Sequence, residues 1–341
     1  MKGVSLAAAN SGLKGVTSAE VSSPFDGLPF PTVQYFVMTV GAATVPVLAR
    51  LVHQWCHSDS GFSVVTARFL WVAAFIINLG TVSIPGRFDG LAVEAKNRGD
   101  TSPGYQYRGG IPWTPVFAPA GWAFAIWGVI YLGEMAATAF IGARGGAALL
   151  QGSLSWWIAG SLFQALWCGC FRPAFSDHLY IPSTLLACAA ASQLANHAAM
   201  TDAINDSRGA WNKVGLIMLR FPISLHASWL CAAALLNFNG WFARAKLPMS
   251  RQVALAGASA YLASALAAVL TLMRGDPFLA LTVAWALKAV AVQTTSDSAT
   301  QVLNLPQVTK ESLSETESAL SALLTLVAAA APLVTREVRR L

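Results

Sequence analysis

The sequence predicts an all-α membrane protein, a polytopic bundle of transmembrane helices. Of its 341 residues, 55% are hydrophobic and only 11% are charged, whereas soluble proteins carry about 25% charged residues. The hydrophobic residues form long blocks, and a helix of roughly 20 such residues crosses a bilayer core. Helices are expected because each backbone amide of an open segment in lipid must be hydrogen-bonded within that segment.

The hydrophobic blocks give seven to nine candidate spans. We place them at 35–55, 68–84, 119–141, 154–171, 180–200, 214–242, 252–273, 277–292 and 319–334. The last block is short and contains Pro332, so it either crosses the membrane or lies against its surface. Residues 1–33 are expected to form a disordered tail or a targeting segment. Residues 86–112 are Gly-rich and charged without helical periodicity, which predicts an exposed loop.

Charge and cysteine usage exclude several classes of function. The formal net charge is +6, but the basic residues are scattered over loops on both sides of the predicted membrane. This pattern predicts the lipid bilayer as a partner and no nucleic acid. The spacing of Cys168 and Cys170 is too short for ordinary zinc ligation, so no metal site is predicted. No nucleotide-binding loop or nucleophile elbow is present in the sequence, so a conventional enzyme is not expected.

Three blocks carry aromatic and amide residues at helical spacing. An amide in hydrocarbon needs a hydrogen-bond partner, so these faces are expected to point into the bundle. If they converge, they line a cavity suited to a flat, largely apolar ligand. The stripes comprise Trp127, Tyr131 and Glu134 in the third block, Trp157, Gln164, Trp167 and Phe171 in the fourth, and Trp229, Ala233, Asn237 and Trp241 in the sixth.

These motifs resemble the TspO/MBR family of tryptophan-rich sensory proteins and translocator proteins. The run Phe117-x-Pro119-x-x-Trp122-x-Phe124, followed by Trp127-x-x-x-Tyr131, resembles the start of the family's second helix. The run Trp229-x7-Asn237-Phe238-x2-Trp241 resembles the last helix of its five-helix core. Gln164-x2-Trp167-x3-Phe171 is similar to the third core helix, where the family usually has Asn at the first position.

The resemblance covers roughly residues 66–293 and extends to a longer, roughly seven-helix branch of the family. It implies a five-helix core at 66–242 and two additional transmembrane helices at 243–293. An extra N-terminal helix and loop at 34–65 and a linker with a hydrophobic helix at 294–341 complete the predicted organisation. Phe238 replaces the usual Tyr of the translocator sterol consensus, so sterol recognition is not carried over.

The resemblance also implies that the bundle binds porphyrins or similar flat hydrophobic molecules. A porphyrin or haem-type tetrapyrrole is the implied ligand, and no cofactor is required. Indole faces would stack on the macrocycle, each pair contributing about 0.5–1.5 kcal/mol beyond area burial, while Tyr131 and Asn237 would hydrogen-bond its polar edge. The predicted ligand-binding residues are Trp122, Phe124, Trp127, Tyr131, Gln164, Trp167, Trp229, Asn237 and Trp241.

Other interpretations of the same residues stay open. The aromatic side chains also suit the filling of a bundle interior. A small-molecule carrier and an accessory subunit of a larger membrane complex, photosynthetic complexes included, are the alternative functions to a sensory or ligand-handling protein. The expected setting is a multi-pass protein of an unspecified membrane, organelle membranes included, as a homodimer or within a larger complex.

Two ionisable residues fall deep in predicted spans. Glu134 and Lys288 would each cost at least ~2.5–3.5 kcal/mol at mid-bilayer without a partner or water. One hypothesis pairs Glu134 with Lys288 across the bundle, and the alternative has each neutral or reaching an interface separately. His197 and His226 are expected to pack or to hydrogen-bond rather than to ligate haem.

Overall fold

The computed structural model describes residues 31–58, 61–88, 115–206, 210–296 and 303–338. Within these ranges the chain is helical and contains no strand. Residues 1–30 of the tail predicted at 1–33 and most of the loop predicted at 86–112 lie outside the described residues, whereas residues 31–33 belong to the first helix rather than to a tail. The helices are α1 (Pro31–Cys56), α2 (Val64–Val82), α3 (Ile126–Arg144), α4 (Ala147–Cys170), α5 (Tyr180–Asp206), α6 (Ala210–Arg244), α7 (Met249–Arg274), α8 (Pro277–Thr294) and α9 (Gln307–Val338).

Five helices of the described chain are long and apolar enough to cross a membrane. They are α2, α3 together with the 3₁₀ turn Gly121–Ala125 that precedes it, Lys213–Arg244 of α6, α7 and α8. Helices α4 and α5 are as long but more polar, because they carry serines and amides that the bundle buries. The buried polar residues of these two helices are Ser153, Ser155, Ser161, Gln164, Ser183, Ser192, Gln193, Asn196, His197 and Thr201.

Five of the helices form a closed ring of contacts. Helix α2 packs against α3 and α4, α4 packs against α5, α5 against α6, and α6 returns to α3. These are the five helices that the resemblance assigns to a core. Helices α7, α8 and α9 pack on one another and join the ring through α6, whereas α1 lies against α4.

Successive helices run antiparallel, so the ring has two distinct ends. One end holds the starts of α3 and α5 and the last turns of α4 and α6, and we call it the cleft end. The opposite end holds the last turns of α3 and α5, the start of α6 and the turn between α7 and α8.

A buried ion network joins α5, α6 and α8 at the opposite end. The carboxylate of Asp276, fully buried just before α8, accepts hydrogen bonds from His197 Nε2 at 2.8 Å and from Ser224 Oγ at 2.6 Å. Arg220 Nε lies 3.1 Å from the same carboxylate, and its Nη1 donates to Thr201 Oγ1 at 3.0 Å. Burial alone would raise the pKa of Asp276, but these partners hold that pKa below its ordinary value.

Helices α3 and α6 approach closely at Gly133. A Cβ atom at this position would lie 2.8 Å from Pro222 Cβ, so only glycine permits the contact. Pro222 sits inside α6 and cannot donate a backbone hydrogen bond there. The absence of a side chain at Gly133 therefore lets the two helices come close together at this point.

Candidate ligand-binding cleft

A largely apolar cleft lies at the cleft end, between the first turns of α3 and α5 and the last turns of α4 and α6. Each of the four helices contributes aromatic or aliphatic side chains to its wall. The lining residues are Pro115, Phe124, Trp127, Trp167, Phe171, Leu179, Leu186, Trp229, Ala233, Leu236, Asn237 and Gly240.

The cleft brings together side chains from the three stripes that the sequence singled out. Five of the nine predicted ligand-binding residues line it, one from the 3₁₀ turn before α3, one from the start of α3, one from α4 and two from α6. They are Phe124, Trp127, Trp167, Trp229 and Asn237. Helical periodicity predicted an inward face for all of these side chains except Phe124, which was named from the family motif, and the packing of α3, α4 and α6 sets these faces around one space.

The aromatic rings of the cleft stand at steep angles to one another. Trp229 meets Phe124 edge to face at a centroid distance of 5.7 Å and Trp127 at 6.2 Å. Trp167 instead stacks on Phe171 at 5.1 Å. Edge-to-face pairs are a preferred aromatic geometry, so these walls are well packed without a ligand.

The polar groups of the cleft differ from the roles predicted for them. Asn237 Oδ1 accepts a hydrogen bond from Trp167 Nε1 at 3.2 Å, and Asn237 Nδ2 donates to the Ala233 carbonyl at 2.9 Å. The amide therefore fixes the Trp167 ring instead of presenting itself to a ligand. Trp229 Nε1, unlike the Asn237 amide, is left without a hydrogen bond. This indole is 2% exposed, and its N–H has no hydrogen-bond partner among the described residues.

The size of the cleft limits what it can hold in this conformation. The enclosed space is about 50 Å³, whereas the cleft with its open mouth measures about 610 Å³. The smaller value is the relevant one for a buried ligand, and pockets for drug-sized molecules are roughly 300–1,000 Å³. A flat macrocycle therefore has to widen the cleft or occupy its mouth.

Tyr131 and Gln164 lie in a buried polar chain that crosses the ring. Asn78 Nδ2 of α2 donates to Gln164 Oε1 at 3.1 Å, and Gln164 Nε2 donates to the Tyr131 hydroxyl at 2.9 Å. Neither Tyr131 nor Gln164 is among the lining residues of the cleft. Asn78 was not singled out from the sequence, although a lone Asn within an apolar span was a usable signal.

Trp122 and Trp241 are also outside the cleft. Trp122 is 44% exposed and packs edge to face on Trp285 of α8 at 4.7 Å. Trp241 lies near the end of α6 between Tyr180 and Phe242, at centroid distances of 5.8 and 5.0 Å.

The predicted pairing of Glu134 with Lys288 is wrong. Glu134 Oε1 of α3 lies 2.6 Å from His226 Nδ1 of α6, and both side chains are fully buried. Lys288 is exposed on the outer face of α8. His226 also meets the Trp127 ring edge to face at 5.6 Å, so the ionisable pair stands directly behind one wall of the cleft. In the described part of the chain, no group of three His, Cys, Asp or Glu residues is arranged to hold a metal ion.

The comparison with known proteins agrees with these motifs. A family model described as TSPO-like protein matches residues 106–329, about two thirds of the chain. The chain belongs to the TSPO-like family. No curated protein and no solved structure matched the chain.

The family model matches residues 106–329, whereas the resemblance seen in the sequence covers roughly residues 66–293. It starts at residue 106, after α2, and runs through α3 to α8 and most of α9. The match therefore includes all four walls of the cleft, together with α7, α8 and most of α9 beside the ring. With five helices able to cross a bilayer, this TSPO-like protein is an integral, multi-pass membrane protein.

Proposed function

We propose that this TSPO-like protein binds a flat, mostly hydrophobic ligand of the tetrapyrrole class in the cleft, in a sensory or ligand-handling role. The observation that carries the proposal is the convergence of Phe124, Trp127, Trp167 and Trp229 on one space. Aromatic walls recognise extended π systems through stacking and edge contacts.

Trp229 supplies the polar contact that such a ligand needs. Leaving a buried N–H unpaired costs roughly 1–3 kcal/mol, and a carbonyl, carboxylate or ring nitrogen of a bound ligand would remove this cost. The unpaired indole N–H is thus a reason for the cleft to favour a ligand with an acceptor over a plain hydrocarbon.

Ligand entry requires the cleft to widen, since its enclosed volume is small. The lining includes small residues on α6, Ala233 and Gly240, which leave room for a ring to slide along this helix. Phe124 and Trp127, which now pack on Trp229, and Trp167, which packs on Phe171, would turn to pack against the ligand.

Titration of the purified, detergent-solubilised protein with protoporphyrin, followed by the shift of the porphyrin absorption band, tests the proposal. Filling the cleft with Ala233→Phe should weaken binding by about tenfold or more, whereas the control Val129→Phe, on the outer face of α3, should leave it unchanged. Trp229→Phe, which keeps an aromatic ring but loses the indole N–H, should weaken it by at least about fivefold, the equivalent of one hydrogen bond. Equal binding by the Ala233→Phe and Val129→Phe variants would contradict the proposal.

The same preparation distinguishes the two alternative functions. Saturable uptake of the ligand into vesicles would indicate a carrier. Fixed stoichiometric partners retained through purification would indicate an accessory subunit.

A further inference from the structure

The outer face of α8 carries one charged residue, Lys288, within an apolar surface that does not line the cleft. Trp285 and Val292 are each 42% exposed, and Lys288 is exposed between them. Lys288 is the only charged residue in the sequence of α8, a helix apolar enough to cross the membrane. A lysine on a lipid-facing surface needs an anion or access to water.

Two indole rings stand beside this lysine in a fixed geometry. Trp285 lies one turn before Lys288 on the same face of α8, and the Trp122 ring meets it edge to face at 4.7 Å. Trp285 Nε1 donates a hydrogen bond to the Ala123 carbonyl at 3.1 Å, which anchors the pair to the start of α3. Both rings nevertheless remain about two-fifths exposed, so each presents part of its apolar surface outward.

A backbone contact indicates how far Lys288 lies from the membrane surface. The Ala120 N–H, one residue before the 3₁₀ turn that opens α3, donates to the Ala289 carbonyl at 3.0 Å. Lys288 therefore lies level with the point where α3 enters the membrane, although it is well inside α8. Trp residues collect at this level of the bilayer, where headgroups begin, and a lysine side chain there reaches lipid phosphate.

The anion for Lys288 does not come from the membrane spans of this chain. Among the five helices able to cross the membrane, Glu134 carries the only carboxylate, and it is fully buried against His226. A second copy packed on α8 would present the same five spans and no exposed carboxylate from them. Anionic lipid headgroups are a source of negative charge at this level of the bilayer.

We propose that the surface formed by Trp122, Trp285 and Lys288 binds an anionic phospholipid. The headgroup phosphate accepts a hydrogen bond from Lys288 Nζ, and an acyl chain lies along the exposed indole pair. This site is independent of the ligand in the cleft, because none of its three residues lines that cleft.

Brominated lipids test the proposal, because bromine quenches the fluorescence of tryptophans in contact with it. The full-length protein is reconstituted in phosphatidylcholine vesicles with a minor fraction of either dibrominated phosphatidylglycerol or dibrominated phosphatidylcholine. The wild-type protein should be quenched preferentially by the anionic lipid, with an apparent preference of about fivefold, as one surface lysine contributes on average. The Trp122→Phe/Trp285→Phe variant should lose the preferential component, which assigns it to this pair.

Lys288→Met should abolish the preference, and Lys288→Arg should retain it. The matched control is Arg251→Met, which removes an exposed charge at the start of α7, at the same end of the bundle, and should leave the preference intact. An unchanged preference in Lys288→Met would overturn the proposal. If Lys288→Met left the lipid quenching unchanged but changed the oligomeric mass, the surface would be assigned to a second copy of the chain. That result would also overturn the proposal.

Discussion

His226 Nδ1 lies 2.6 Å from Glu134 Oε1, and this contact joins α6 to α3 in the middle of the ring with both side chains fully buried. The other oxygen of Glu134 and Nε2 of His226 have no hydrogen-bond partner among the described residues. Each residue therefore depends on the other for its polar contact.

Replacing one member of this pair should be costly. Glu134→Leu or His226→Leu is expected to destabilise the protein by about 3–5 kcal/mol, because each leaves a buried polar group alone. The double variant should cost clearly less than the sum of the two. Unfolding in mixed micelles would measure all three, with Met135→Ala, on the exposed side of α3, as the control. Strict additivity of the two substitutions would show that the pair is not coupled.

Asp276 should make stability dependent on pH in the acid range. Its pKa lies below the ordinary value of 3.8, so its stabilising effect is complete above that pH and is lost as the pH falls through the lower pKa of the folded state. Asp276→Asn should lower stability near neutrality and flatten the acid-side loss. Thermal unfolding across this range is the measurement. Asp202→Asn, at an exposed ion pair with Arg274, should retain the wild-type profile.

The polar chain through Gln164 predicts an ordered set of effects. Gln164→Leu removes the hydrogen-bond partner of both Asn78 and Tyr131, whereas Tyr131→Phe removes only the acceptor of Gln164 Nε2. We expect Gln164→Leu to be the more destabilising, at about 1–3 kcal/mol for the polar groups left unpaired. Equal losses in the two variants, measured by thermal unfolding, would mean that the bond from Asn78 contributes nothing.

Glu317 should make the packing of α9 sensitive to a rise of pH between 4.5 and about 8. Burial raises its pKa from 4.5 to about 8, and its one hydrogen bond, from Thr294 Oγ1 at 3.4 Å, only partly offsets this. Because the pKa in the folded state is raised, the stability that depends on the protonated group is fully present below 4.5 and is lost as the pH rises through about 8. Glu317→Gln should remove this loss, while the exposed neighbour Glu315→Gln should not. Limited proteolysis of α9 as a function of pH would show the difference.

Hydrophobic blocks and helical periodicity were sufficient to predict the helices and their inward faces. Phe124, Trp127, Trp167 and Trp229 line one space. Spacing along a helix indicated the inward face of the last three, whereas Phe124 was named from the family motif. Partners across the bundle were not predictable in the same way. Glu134 is 92 positions from His226, and only the packing of α3 on α6 brings them together.

Local polarity also misled the sequence interpretation at α9. The apolar run was predicted at 319–334, but the helix begins at Gln307. Its first turns carry Ser, Thr, Lys and Glu, so a hydropathy window excludes them, yet Leu313 in this part of the helix is buried in the cluster with α7 and α8. Asn237 shows a related limit, since an amide at a predicted cavity can serve a neighbouring ring instead of a ligand.

The Asp276 network at one end of the ring and the cleft at the other end determine at which end the helices can separate to admit a small molecule. Separating α5, α6 and α8 at the network end requires breaking a desolvated ion cluster, whereas widening the cleft end only rearranges aromatic contacts. A ligand that binds in the cleft as proposed would therefore enter and leave through the leaflet at the cleft end. Passage to the far leaflet would have to break the contacts of Asp276 in every cycle.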